Sequence, residues 1–243
     1  MDKCDFNVIN FETIDSTSTY LKRTYNEHKD LTIVFSSFQE EGHGRMKRVW
    51  DAPKGTSLLF SILFKDRQII DNFVSLSLLS AVAIFKFLSK YVSNVSIKWP
   101  NDVYVNDKKI CGILLESISY DLKISALVLG IGININTKEF NEEIKHKATS
   151  LFNETNHLFD IETLKEDLLN HLSDMINDIK QNKKDYLDIV RKNNYLKDKI
   201  VKAYLNETVQ EVKVLDVNDD NTLKVIKDDK IYHLNVGEVL PIN

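Results

Sequence analysis

A lysine, an aspartate and a glycine fall close together between Ile97 and Glu116, in the stretch IKWPNDVYVNDKKICGILLE. Val95, Ile97 and Trp99 alternate as the buried side of a strand does. Pro100 has no N–H for a sheet ladder and ends that strand. Asn101 and Asp102 form a tight connection, Val103 to Val105 runs on, and Asn106-Asp107 turns the chain back. The pattern predicts a hairpin with Asp102 near its entry, Lys109 on its return arm and Gly112 just beyond. An ammonium can meet an anion, and a missing side chain lets a ligand approach the backbone. A polar hairpin with solvated lysines fits the same residues.

A second concentration is Gln39 to Trp50, QEEGHGRMKRVW. Gly42 and Gly44 allow close backbone approach or a loop that opens and closes. Arg45, Lys47 and Arg48 can offset phosphate or carboxylate charge. A solvated basic loop is the plainer reading. The spacing is neither a Walker loop nor GxGxxG in a strand–helix setting. Two weaker features accompany it. Asp15-Ser16-Thr17-Ser18-Thr19 places hydroxyls at a helix start, where they cap the helix and could also meet a polar ligand. Gly130-Ile131-Gly132-Ile133-Asn134 alternates glycine along a strand, which bares one face for a flat ligand or for close helix packing.

These residues need elements to hold them. Strands are expected at Asn7 to Ile14, Leu31 to Phe38, Ser57 to Phe64 and Leu122 to Leu129. A helix follows Ser16 to about Glu27, and a second runs from about Asp71 to Tyr91 with Asp71 as its N-cap. Thr137 to Asn156 is polar and irregular or partly helical. Asp160 then caps a helix whose stripe is Ile161, Leu164, Leu168, Leu172, Met175 and Ile179. A shorter helix covers roughly Lys183 to Lys192. Five short strands follow, at Lys199 to Tyr204, Glu211 to Val217, Thr222 to Ile226, Lys230 to Leu234 and Gly237 to Leu240. They predict a small barrel of about 48 residues. The boundary between Asn193 and Lys197 divides the chain into residues 1–194 and 195–243.

With 43% hydrophobic and 28% charged residues in 243, the chain has ample core for that plan. A net charge of -4 argues against a nucleic-acid footprint. Cys4 and Cys111 fit free thiols in a reducing, cytoplasmic compartment. The histidines show no metal-ligand spacing. No leader is read before Asp5, and Phe73 to Leu88 is too short and too polar for a membrane span.

Taken in order, these blocks resemble the biotin protein ligases. The matching pieces are DSTSTYLK, QEEGHGRMKRVWDAPKG, KWPNDVYVNDKKICGILLE and GIGININ. The resemblance implies an α+β fold: a mixed sheet with flanking helices, related to class II aminoacyl-tRNA synthetases, plus a C-terminal SH3-like barrel. It implies attack of the biotin carboxylate on ATP to give biotinyl-5′-adenylate, then transfer to a lysine of a biotin carboxyl carrier domain. Mg²⁺ would accompany ATP, held mainly by phosphates. By resemblance Lys109, Arg45 and Asp102 are catalytic. Ser16, Thr17, Ser18, Gln39, Gly42, His43, Gly44, Gly112 and Gly130 would join Arg45 and Lys109 around biotin. Arg48, Trp50, Asn101, Gly132 and Asn134 would join them around the adenylate. The loop departs from the usual GRGRxGR, with His43 for an arginine and Lys47 for a glycine, and Ser18 stands where asparagine is common. The first catalytic strand begins within ten residues of the start, so no DNA-binding domain is expected, and a monomer or weak homodimer is. Lipoate or octanoate attachment, or an inactive partner-binding relative, are the rival readings.

Overall fold

The computed structural model describes residues 3–121, 123–205, 207–236 and 239, with Lys47 described by its backbone alone. Strand β1 (Asn7–Phe11) leads through helix α1 (Thr17–Thr24) to β2 (Thr32–Ser36), which lies parallel to it. Strand β3 (Ser57–Phe64) is antiparallel to β2. Helices α2 (Arg67–Asp71) and α3 (Phe73–Leu88) then carry the chain to β4 (Val95–Lys98). Strands β5 (Asp102–Val105), β6 (Lys108–Tyr120) and β7 (Lys123–Asn134) follow as an antiparallel meander. Together they make a mixed sheet ordered β1-β2-β3-β7-β6-β5-β4. After α4 (Leu151–Thr155), α5 (Ile161–Lys180) and α6 (Tyr186–Lys192) comes a separate antiparallel sheet. It holds β8 (Ile200–Leu205), β9 (Thr208–Val217), β10 (Leu223–Lys227) and β11 (Lys230–Leu234). This is the α+β class the sequence predicts.

Strand alternation assigns the two faces of the large sheet. Leu127, Leu129, Ile131 and Ile133 of β7 join the main core with Leu76, Leu79 and Ala83 of α3 and Leu168 and Leu172 of α5. The residues between them face the other way. There Ala126 and Val128 pack with Leu21 of α1, Val34 and Leu63 in a second, smaller core. Further along that same face come Gly130, Gly132 and Asn134. The face is apolar where α1 covers it and bare where the glycines lie.

The smaller sheet is tied to the larger one by specific bonds. Trp99 Nε1 donates to Asn221 O at 2.9 Å, and Tyr186 OH donates to Asn221 Oδ1 at 2.7 Å. Arg191 Nε donates to Val217 O at 2.8 Å. The connecting residues Asn193 and Tyr195 pair with Ile97 on the β4 edge.

Several expectations need correction. The first strand stops at Phe11, and α1 ends at Thr24 before a single 3-10 turn over Tyr25–Glu27. Asp71 caps no helix: it ends α2, paired with Arg67 one turn back at 2.7 Å. The capping carboxylate is Asp66, which accepts from Gln68 N at 2.9 Å. Of the fifth predicted late strand, Gly237, Glu238 and Leu240 lie outside the described residues, while Val239 bridges Ala203. The turn at Asn106-Asp107 is as expected, with φ of 47° and 67° at its two residues.

The N-cap assignment has a stability signature. Asp66→Ala should cost about 1 kcal/mol in urea unfolding, and Asp71→Ala less than about 0.5 kcal/mol, as for an exposed helix pair. The reverse order would overturn the assignment. The Lys180 ammonium 2.9 Å away holds the Asp66 carboxyl below its ordinary value. Its contribution is therefore complete above the unfolded value of about 3.9 and fades as pH falls through the lower folded value. Asp66→Asn should flatten that part of the acid limb.

Candidate active site

Beyond α1 the bare face opens into a cavity of about 850 Å³. Its floor is a cross-strand row in which Lys98 pairs with Asp102, Asp102 with Gly112, and Gly112 with Gly132. A bulge after Val103 sets Tyr104 opposite Lys109.

One end is lined with neutral polar groups. Thr17 Oγ1 lies 2.7 Å from Ser61 Oγ, and Ser18 Oγ lies 2.8 Å from it. Gln39 Oε1 accepts from Thr17 N at 2.8 Å and from Thr17 Oγ1 at 3.1 Å. Ser16 caps α1 and is buried with Thr17 and Ser18. A Cβ on Gly130 would stand 2.5 Å from Ser18 Oγ, so that glycine is what admits the helix start to the sheet. Ser61 was not singled out in the sequence. Its signal was there, as a lone polar residue in the apolar run SLLFSILF.

At the other end stands Lys109. Its Nζ is 2.7 Å from Asp102 Oδ1 and 5.6 Å from the centre of the Trp50 ring. Its backbone is clamped too: Lys109 N donates to Lys147 O and Thr149 N donates to Lys109 O. Asn134, buried in the floor, ties the same segment through Nδ2 to Thr149 O at 3.0 Å. The flat group on the glycines is the protein's own indole. A Cβ on Gly132 would stand 2.5 Å from Trp50 Cε2, and one on Gly112 2.7 Å from Trp50 Cζ3. Trp50 Nε1 is buried and meets no hydrogen-bond partner among the described residues.

The glycine-basic loop closes the side. Gly44 N donates to Arg48 O and Trp50 N to Gly42 O, so the loop is a folded flap. Arg45 reaches across it, donating to Asn101 Oδ1 at 3.2 Å and to Val236 O at 3.4 Å. Asn101 is itself fixed through Nδ2 to Ile113 O at 2.6 Å. His43 Nε2 lies 3.9 Å from Glu116 Oε2, and Glu116 Oε1 is 2.6 Å from Lys22 Nζ. Arg48 lines the cavity from an exposed position. Of the expected site residues only Gly42 is not in the wall; it backs the flap instead, where a Cβ would press Trp50 O at 3.0 Å. Among the lining residues that sequence reasoning missed are Ser61, Lys98 and Tyr104, together with Tyr204 of β8 and Val236 and Val239 beyond β11.

The profile described as the Biotin/lipoate A/B protein ligase family matches residues 10–134, which carry the whole floor of this cavity. The chain belongs to that family. It is 35% identical over 129 residues to the bifunctional ligase/repressor BirA of Bacillus subtilis, covering 52% of this chain and 40% of that protein. With the biotin–[acetyl-CoA-carboxylase] ligase of Paracoccus denitrificans it shares 31% over 135 residues, covering 53% and 56%. The matches thus span between 40% and 56% of these relatives' lengths. Over 96% of this chain and 97% of the other, the fold superposes on the biotin protein ligase from Aquifex aeolicus in complex with biotin and ATP. The TM-score is 0.85 and the identity 28%.

In this family member the indole-on-glycine contact is directly testable. Gly132→Ala should push Trp50 off the floor without unfolding the protein, since the obstructed atom is a movable side chain. Trp50 and Trp99 are the two tryptophans of the chain, so emission should shift to the red while far-UV dichroism is retained. An unchanged emission spectrum would contradict the placement of the ring.

Proposed function

We propose that this chain is an ATP-dependent biotin protein ligase. It would form biotinyl-5′-adenylate and pass biotin to a lysine of a biotin carboxyl carrier domain. The observation that carries this is the joining, in one cavity, of a neutral hydroxyl–amide pocket to a clamped ammonium over bare backbone. A ureido ring offers N–H donors and a carbonyl, which Ser16, Thr17, Ser18, Gln39 and Ser61 can satisfy together. A dithiolane offers neither, and this favours biotin over lipoate.

The chemistry asks for positive charge at one point. A carboxylate is a poor acylating agent until one oxygen sits on a good leaving group. Its attack on the α-phosphate brings two anions together, and fixed cations lower that barrier. Lys109 is the group that would bridge carboxylate and α-phosphate, and Asp102 holds its ammonium in place beforehand. Trp50 and Asn134 would frame the adenine side, where the buried Trp50 N–H is a donor free to meet an acceptor. Arg45, bonded to Asn101 and Val236, would seal the mixed anhydride from water. ATP would enter as its Mg²⁺ complex. No cluster of three or more His, Cys, Asp or Glu among the described residues could hold a metal by itself, so the phosphates would carry the ion.

The carrier would be a protein domain rather than DNA or a membrane, met by a monomer or weak dimer. No helix among the described residues is long and apolar enough to cross a membrane. Cys4 and Cys111 are free, and burial pushes the Cys111 thiol up, away from reactivity, in keeping with a cytoplasmic setting.

Ligand-dependent exchange of labelled pyrophosphate into ATP tests the proposal. Exchange should require biotin and ignore lipoate and octanoate. Exchange driven by lipoate alone would assign the other branch of the family, and none with any acid would leave an inactive partner-binding relative.

A further inference from the structure

Glu116 is a carboxylate beside the cavity that no role above uses. It lies on β6, the strand that also carries Lys109 and Gly112. Two other elements meet its side chain. Oε1 is 2.6 Å from Lys22 Nζ of α1, and Oε2 lies 3.9 Å from His43 Nε2 of the flap. The Oε2 atom is buried and has no hydrogen-bond partner among the described residues. A carboxylate oxygen taken out of water without a donor is costly, so the group that faces it matters.

The imidazole is oriented from its other side. His43 Nδ1 is 3.1 Å from Glu41 O. A carbonyl oxygen only accepts, so Nδ1 carries the proton of the neutral ring. Nε2 is then a lone pair facing a carboxylate oxygen, and the two repel. A second ring proton reverses this. It puts an N–H on Nε2, and the imidazolium answers both the charge and the unfilled acceptor. Histidine is the side chain whose ordinary charge change falls between pH 5 and 8. The charged groups about this ring are Glu116 on β6 and, behind it, Lys22 on α1. Within the flap, Arg45 is engaged with Asn101 and Val236, and the Glu41 side chain is exposed.

Resting on the ligase reading, we propose that Glu116 is a positioning residue that latches the flap through the His43 imidazolium, so that the enzyme holds its acyl-adenylate more firmly in mild acid than in mild base. The flap is a short hairpin. Gly44 N donates to Arg48 O, Trp50 N donates to Gly42 O, and His43 bridges Val49 between them. Holding His43 against β6 therefore holds Arg45, two residues on, and the start of Trp50. Arg45 ties the flap to Asn101 and Val236, and the latch adds a tie to the floor strand itself. As pH rises through the histidine range the second ring proton leaves for solvent. Nε2 becomes an acceptor again and the tie is lost, while Lys22 keeps Oε1 in either state. The sign is fixed: closure is favoured below that range and weakened above it.

The dissociation rate of a stable phosphodiester analogue of biotinyl-5′-adenylate from the full chain reads the flap without turnover, and the analogue keeps one charge throughout. In the wild type that rate should rise about threefold from about pH 6 to about pH 8, the size of one partly exposed ion pair. His43→Arg is charged at every such pH and should keep the slow rate throughout. His43→Ala should show the fast rate throughout, and Glu116→Ala should lose the pH dependence with it. A wild-type rate that ignores pH would overturn the inference while leaving the ligase reading intact. So would a slope that survives in His43→Ala. A Glu116→Ala variant that releases faster at every pH but keeps the wild-type slope would also overturn it, by showing a merely structural carboxylate. A wild-type protein that binds the analogue at no pH would remove the ligase reading and this inference together.

Discussion

A single ion pair sets the terms for the rest of the structure. Lys109 Nζ is held 2.7 Å from Asp102 over a patch of sheet without side chains. Glycines at 112, 130 and 132 create that patch, and they serve two contacts: Trp50 at 112 and 132, Ser18 at 130. The charge would be of little use on a mobile stem. Here Asp102 restrains its tip, and the 147–149 segment fixes its backbone on both sides. Such pre-placement costs nothing at the moment of reaction, which is the advantage of fixed dipoles and charges over water.

Much of this was written locally in the chain. The hairpin declared itself through Pro100 and the Asn106-Asp107 turn, and both Lys109 and Gly112 fell on its return arm. The Gly130 to Asn134 alternation specified one face for isoleucines and the other for the cavity, because side chains along a strand repeat every two residues. What the sequence left obscure depends on distant contacts. Arg45 meets Val236, 191 positions away. Glu116 gains its meaning from Lys22 on α1 and His43 on the flap. Trp50 reads as a loop aromatic until it is seen lying on two glycines. The Asp66 and Asp71 choice failed for another reason: both precede apolar helical sequence, and only backbone geometry at Asn72, with φ −100° and ψ 18°, divides α2 from α3.

The two sheets share the cavity rather than merely adjoin. Trp99 and its neighbour Lys98 both line it, and Trp99 Nε1 also reaches Asn221 of the smaller unit. Arg45 touches both the β4–β5 connection and Val236. The smaller sheet therefore buttresses the strand that carries Lys98 and gives the flap a second anchor. The buried apolar cluster runs through both, from α3 to Val214 and Val225, so this arrangement is packed as well as hydrogen-bonded.

The claim at the centre is that the Lys109 ammonium recognises the phosphate of an acyl-adenylate. Binding of a stable phosphodiester analogue of biotinyl-5′-adenylate, followed by calorimetry, measures this without turnover. Lys109→Met should weaken it by about a hundredfold, as expected when a buried charged partner is removed. A loss of less than about threefold, in a variant that still folds and still binds biotin, would contradict the claim.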